Sequence, residues 1–230
     1  MRFLLTNDDG IDAPGLAALA TAIEGLGSYR TVAPRDAQSG VSHQITMSAP
    51  MRLAASGDLR HSLAGTPADC VRVALAQLEH DPEWVLAGIN RGGNLGADLY
   101  TSGTVAAARE AALFRRRAIA ISQYVARDRD INWELTARRA RRVLAAVLNH
   151  PLPDAAFWNI NLPHPEHDEE ELPIVFCAPD TSPLDVKYRS DGGDLFYAGS
   201  YHGRPRQAGR DVEVCFNGEV AVTQVRLEIA

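Results

Sequence analysis

Strand-like and helix-like stretches alternate through roughly the first 150 residues, and this alternation restricts the fold more than any other feature of the chain. Arg2, Phe3, Leu4, Leu5 and Thr6 form a short apolar run closed by Asn7-Asp8-Asp9-Gly10, the composition of a buried strand ending in a tight turn. Pro14 then stands where a first helical position tolerates it, and Leu16, Leu19, Ala20 and Ile23 recur at helical spacing before Gly25 and Gly27. Further strands are expected at 30–33, 84–87, 118–122 and 157–162. Helices are expected at 105–114, at 133–148 and after Thr66, an N-cap followed by Pro67 and the acidic Asp69. Short extended pieces are expected within 44–53. The expectation for residues 1–163 is an α/β catalytic core, a Rossmann-like, mostly parallel sheet with helices on both faces.

Beyond Pro163 the pattern changes to shorter β-like runs at 174–178, 195–198, 212–216 and 220–227, with no helix evident between them. Residues 164–230 are therefore expected to form a β-rich extension, and strands so short leave edges that a second subunit would cover. The acidic stretch from His167 to Glu171 reads as a solvated turn.

A formal charge of -6 opposes binding to a nucleic acid duplex, which needs a basic face to displace counterions. Arg115-Arg116-Arg117 and the arginines at 138, 139, 141 and 142 read as solvated helix edges. No apolar run reaches the ~20 residues of a membrane helix, and the first strand begins at Arg2 with no leader before it, so a cytoplasmic protein is expected. Cys70, Cys177 and Cys215, an odd number without a CxxC pair, are expected to be buried thiols.

In open α/β sheets, ligands bind beyond the carboxyl ends of the strands, and three polar loops fall there: residues 7–10, 34–42 and 88–96. The adjacent carboxylates Asp8 and Asp9 repel one another unless a cation stands between them, although either could instead cap a turn. Ser39 and Asn90 add neutral oxygens, and an all-oxygen set favours magnesium, manganese or calcium over zinc. The third loop runs through Ser102-Gly103-Thr104 into a helix, whose free N–H groups suit a phosphate, with simple N-capping as the alternative. Gly92, Gly93 and Gly96 lack the spacing of a dinucleotide fingerprint, and there is no P-loop lysine. His43, beside the second loop, is a candidate general acid or an ordinary surface histidine.

Four ordered blocks carry a family likeness: Asn7-Asp8-Asp9-Gly10 with Ala13-Pro14-Gly15; Val32-Ala33-Pro34 to Ser39-Gly40; Gly65-Thr66-Pro67-Ala68-Asp69-Cys70-Val71; and Gly88-Ile89-Asn90-Arg91-Gly92 through Asn94 to Ser102-Gly103-Thr104-Val105. Asn159-Ile160-Asn161-Leu162-Pro163 adds to them. Together they resemble the SurE family of survival proteins, metal-dependent nucleotidases acting on 5′ or 3′ nucleotides and on short polyphosphate. The resemblance implies that Asp8, Asp9, Ser39 and Asn90 hold one divalent cation per subunit, Mg2+ or Mn2+, with Ca2+ able to replace it in a crystal. It also implies that Asn94, Ser102, Gly103 and Thr104 surround the phosphate of a nucleoside monophosphate, with Asp8, Asp9 and Asn94 catalytic. A homo-oligomer, dimer or tetramer, is implied too, its contacts made by the tail and in particular by a hairpin within 188–202. Gln38 departs from the family in place of a basic residue, as does Arg109-Glu110-Ala111 in place of Met-Glu-Gly. The competing expectations are a metal-dependent nucleotide-sugar transferase and a non-catalytic nucleotide sensor.

Overall fold

The computed structural model describes residues 1–78, 81–126, 129–164 and 171–227. The run from His167 to Glu170, read above as a solvated turn, lies outside the described residues; Glu171 is exposed.

The strands are β1 (Arg2–Thr6), β2 (Ser28–Pro34), β3 (Leu53–Ala55), β4 (Arg60–Leu63), β5 (Trp84–Arg91), β6 (Arg117–Gln123), β7 (Ala156–Leu162), β8 (Ile174–Phe176), β9 (Tyr188–Asp191), β10 (Asp194–Tyr197) and β11 (Val220–Arg226). The helices are α1 (Pro14–Ala22), α2 (Pro67–Gln77), α3 (Gly103–Leu113), α4 (Trp133–Val147) and α5 (Asp211–Phe216), with a 3₁₀ turn at Gly96–Tyr100. Nine strands form one sheet in the order β3-β4-β2-β1-β5-β6-β7-β11-β8, parallel from β4 to β7. The chain winds outward from β1 through β2 to β4, then returns to lay β5 on the other side of β1. The sheet therefore has a switch point between β1 and β5, where the loops leaving the two strands diverge and open a crevice.

Helices cover both faces because the central strands are apolar on both sides. Leu16, Leu19 and Ile23 of the α1 segment pack with Val143, Leu144 and Val147 of α4 over Phe3, Leu5 and Leu86. On the other face Val71 and Ala74 of α2 meet Val105, Ala108 and Ala111 of α3 over Leu4, Val85 and Ala118. Each buried Leu, Ile or Val here contributes about 1.5–3 kcal/mol by leaving water. The Thr66 signal is realised in full: its side chain accepts from Asp69 N and the Asp69 carboxylate accepts from Thr66 N, a reciprocal cap worth about 1 kcal/mol.

The mostly parallel α/β sheet is as expected, and the tail departs from its reading at one run. Residues 212–216 are helical: alternation in Val-Glu-Val-Cys-Phe imitates a strand, but Asp211 accepts from Val212 N, and Val212, Val214 and Cys215 pack on Leu95 and Ala221. The runs read at 174–178 and 220–227 hold strands β8 and β11, and β11 pairs antiparallel with β7 and parallel with β8, extending the main sheet. Among the described residues, the β9–β10 hairpin alone stands apart from the main sheet, within the 188–202 stretch read as a hairpin and with every strand residue exposed. Elsewhere, 44–52 is irregular, and the extended structure begins at Leu53 with β3 and continues in β4. Cys70 and Cys215 are buried but Cys177 is only half-buried, and all three are free. The arginine runs are mostly at the surface, as read, with Arg115, Arg117, Arg138, Arg141 and Arg142 exposed and Arg139 buried; several also make local contacts, Arg117 over the Trp84 ring, Arg116 with Asp81, Arg141 to Glu24 O and Arg142 to Leu172 O.

Candidate active site

The crevice at the switch point is a cleft of about 290 Å³ lined by Asp8, Asp9, Ser39, Asn90, Asn94 and Ser102, among others. A larger cleft of about 540 Å³ lies between α1 and the Gly57–Arg60 turn, but its floor is chiefly apolar and its Arg60 is already paired with Asp12. The smaller cleft is the one where polar groups converge, and convergence marks a site better than volume does.

Asp8 and Asp9 leave the carboxyl end of β1. Asp8 is buried and its Oδ1 accepts a short hydrogen bond from Thr104 Oγ1 at the start of α3. Burial pushes the Asp8 carboxyl up to about 6; the Thr104 bond opposes the rise and the neighbouring Asp9 charge adds to it. Asp9 Oδ2 accepts from Arg91 N at 3.0 Å, yet burial still holds its carboxyl above the usual range. Two adjacent carboxylates that are both costly to ionise form a pair that a cation would relieve.

The loop carrying Ser39 is pinned on both flanks. Gln38 N donates to Asp8 O at 2.7 Å, Ser42 N donates to Thr101 O at 3.1 Å, and Ser42 Oγ donates to Tyr100 O at 2.7 Å. Asn90, on the last turn of β5, donates Nδ2 to Gly92 O at 2.8 Å and so keeps Oδ1 as an acceptor. Among the described residues no group of three His, Cys, Asp or Glu side chains could hold a metal. The cleft's donors are two carboxylates plus neutral Ser39 and Asn90 oxygens, which suits a hard divalent ion and not zinc.

Asn94 is held from four directions. Its N–H donates to Asn161 Oδ1, its carbonyl accepts from Asn159 Nδ2 and Asn161 Nδ2, and its Nδ2 donates to Ser122 Oγ at 2.7 Å. A serine hydroxyl also donates, so turning the amide over keeps that bond and presents Nδ2 to the cleft. Ser102 Oγ caps α3 by accepting from Val105 N, as the capping alternative had it, while Ser102 still lines the cleft. Thr104 differs from expectation: it is fully buried and reaches Asp8 instead of the open cleft. Gly103 packs so closely on Asp8 that a Cβ there would lie 2.9 Å from Asp8 Cβ. Alanine at 103 should gain helix propensity and still lower kcat/KM about a hundredfold, since displacing a reacting group by 1 Å costs about that much. Steady-state kinetics of Gly103→Ala with an unchanged kcat/KM would remove the contact from the account.

His43 does not line the cleft. Its Nε2 lies 2.6 Å from Glu110 Oε2, Glu110 also binds Arg72, and Arg109 Nη1 is 3.4 Å from His43 Nδ1. Burial pushes the Glu110 carboxyl up, but the bonds from His43 and Arg72 prevail and hold it below its ordinary value of 4.5. The network ties the end of the Ser39 loop to α3. With its pKa lowered on folding, Glu110 contributes stability that is fully present above pH 4.5 and is lost as pH falls through the lower folded value. Glu110→Gln should therefore lower the melting temperature at pH 7 by several degrees and flatten the acid limb of the stability curve. A variant melting curve that matches the parent at both pH 7 and pH 4 would contradict this.

Several supports were given no site role by the sequence reading. Asn159 and Asn161 are buried amides on one face of β7, and two Asn at i, i+2 in an otherwise apolar strand are the trace they leave in the sequence. From the tail, Asp211 accepts from Gly96 N at 2.8 Å, Tyr201 Oη donates to Gly93 O at 3.0 Å, and Arg204 donates to Asp98 and Leu95 O. The tail therefore braces the glycine-rich loop.

The family model described as Survival protein SurE matches residues 3–180. The chain belongs to the SurE family. A protein of Nostoc sp. is 49% identical over 99% of this chain and 100% of its own length. The 5′-nucleotidase SurE of Mesorhizobium japonicum is 38% identical over 100% of this chain and 94% of its own. The crystal structure of the SurE protein from Aquifex aeolicus superposes with a TM-score of 0.86 at 32% identity, covering 100% of this chain and 95% of that one. The SurE likeness read from four motif blocks thus extends over the whole chain and its fold.

Proposed function

We propose that this SurE protein is a 5′-nucleotidase that hydrolyses the phosphate monoester of nucleoside monophosphates, with action on 3′ nucleotides and short polyphosphate following from the same cleft. The observation that carries the reading is the convergence of Asp8, Asp9, Ser39 and Asn90 on one crevice beside the first turn of α3. These four residues would hold a divalent cation, Mg2+ or Mn2+, which when bound polarises the phosphoryl oxygens and makes a water acidic enough to attack near neutral pH. Asp9, whose Oδ2 is steadied by Arg91 N, orients the attacking water and receives its proton. Thr104 fixes Asp8. Asn94, Ser102 and the N–H of Gly103 face the phosphoryl oxygens, where charge builds as the P–O ester bond lengthens. Ser102 Oγ is occupied as the cap of α3, which supports direct attack by water over a phosphoserine.

Phosphate release from 5′- and 3′-nucleotides and tripolyphosphate, with Mg2+ or Mn2+ added to dialysed protein, separates the alternatives. A 5′-nucleotidase releases phosphate from nucleoside monophosphates in proportion to enzyme. A nucleotide-sugar transferase or a nucleotide sensor releases none.

The assembly reading rests on the β9–β10 hairpin. Tyr188, Leu195 and Tyr197 are 60–68% exposed, and a lone two-stranded ribbon is marginal in water. A second subunit covering it removes both the free edges and the apolar surface. Full-length protein should sediment as a dimer or larger at micromolar concentration, and deleting 186–198 should give monomers. A monomeric parent protein would refute the assembly.

A further inference from the structure

Arg91 is the only residue with a cationic side chain among those lining the switch-point cleft, where Asp8, Asp9 and Asp98 supply three carboxylates. The other arginines nearby are engaged: Arg204 holds Asp98 at 2.7 Å, Arg35 pairs with Asp36 on the loop that bears Ser39, and Arg109 donates to Leu99 O. Arg91 differs. It is exposed, and among the described residues its guanidinium makes no hydrogen bond and no ion pair. Its main-chain N–H, by contrast, is bound to Asp9 Oδ2 at 3.0 Å. The charge is still felt in the cleft, because burial raises the Asp9 carboxyl while the Arg91 N–H and guanidinium both act against that rise. A guanidinium close enough to act on Asp9, yet tied to nothing, is free to meet an anion placed beside Asp9.

The charge balance of the cleft says what that anion is. Arg204 offsets Asp98, and a divalent cation offsets Asp8 and Asp9, so Arg91 is the surplus positive charge that a phosphate dianion meets. Its planar fork also matches two phosphoryl oxygens at once, and those oxygens carry the charge that develops as the ester bond breaks. We infer that Arg91 is a catalytic residue whose guanidinium engages the non-bridging oxygens of a dianionic phosphate monoester at the end of β5. The inference rests on the phosphatase reading of the cleft and adds to it the cationic side chain that Asp8, Asp9, Ser39 and Asn90 lack.

The main-chain bond to Asp9 survives any substitution at 91 other than proline, so variants there isolate the side chain. Arg91→Gln in the full-length protein should keep the parent's melting temperature, since the guanidinium holds no other part of the fold. With Mn2+ present, calorimetry should show inorganic phosphate binding about tenfold more weakly, and kcat/KM for AMP should fall about thirtyfold. Added guanidinium ion should restore part of the turnover of Arg91→Ala. Mn2+ binding without phosphate should be unchanged or tighter, because a positive charge beside Asp9 has gone. A residue that merely supported the metal loop would weaken Mn2+ binding instead. Phosphate affinity and AMP turnover unchanged in Arg91→Gln, or weakened only together with Mn2+ binding, overturn the inference while leaving the phosphatase standing. Phosphate binding that depends on Arg91 in a protein releasing no phosphate from AMP overturns the phosphatase and leaves the anion contact standing.

Discussion

Asp8→Asn is expected to lower kcat/KM for nucleoside monophosphates by about a thousandfold while raising the melting temperature of the metal-free protein. Asp8 is buried, and desolvation, with the Asp9 charge adding to it, pushes its carboxyl to about 6 against the Thr104 bond. At neutral pH the folded, metal-free protein therefore holds a carboxylate that costs it stability. Asparagine has nearly the same shape, can still accept from Thr104, and carries no charge to desolvate or to repel Asp9. The same change removes half of the formal charge that would attract a divalent cation. Lower activity with higher stability is a combination that misfolding cannot produce. Loss of activity with a lower melting temperature in the absence of metal would indicate a structural role for Asp8 instead.

Gly15→Ala is expected to cost about 3 kcal/mol or more, a fall of roughly 10 °C in melting temperature for a chain of this size. Substituting alanine for glycine inside a helix ordinarily gains up to about 1 kcal/mol, so the sign itself is diagnostic. At Gly15 a Cβ would stand 1.9 Å from the Ile89 carbonyl oxygen and 3.0 Å from the Trp133 ring. That oxygen belongs to β5, one residue before Asn90, and cannot move without moving a proposed cation ligand. The first turn of α1 is thus seated directly on the carboxyl end of β5, with the Asp8-Asp9 loop between β1 and that turn. Activity should fall with stability in this variant, in contrast to Asp8→Asn. A melting temperature equal to or above the parent's would show that α1 does not bear on β5 in this way.

The core of the fold was legible because its signals are local. Thr66-Pro67 with Asp69 specifies a helix start through contacts within four residues, and the strands at β1, β5 and β6 are apolar runs that only a sheet covered on both sides can accommodate. The candidate site was legible for a related reason: each of its parts lies in a loop at a strand end or a helix start, where Asp, Asn, Ser and Gly stand out against apolar neighbours. What brings those loops together is not local. The switch point between β1 and β5 depends on the strand order, and Asn94 is held by Ser122, Asn159 and Asn161 from two other strands.

The helix at 211–216 was misread because Val-Glu-Val-Cys-Phe favours a strand by period. It is settled by Asp211, the first helical residue, accepting from Val212 N, by Glu213 accepting from Gly209 N, and by the packing of its valines. His43 shows the opposite limit. Its position near the Ser39 loop suggested chemistry, but Glu110 lies 67 residues away in the sequence, and only the folded chain reveals the pair that occupies it.

The most direct test of the central claim is a calorimetric titration of Mn2+ into thoroughly chelated protein, with phosphate release from AMP followed at each step. One ion should bind per chain, activity should rise from baseline in parallel with occupancy, and Asp9→Asn should lose binding and turnover together. Full-rate hydrolysis in the chelated protein, or Mn2+ binding unchanged by Asp9→Asn, would contradict the account.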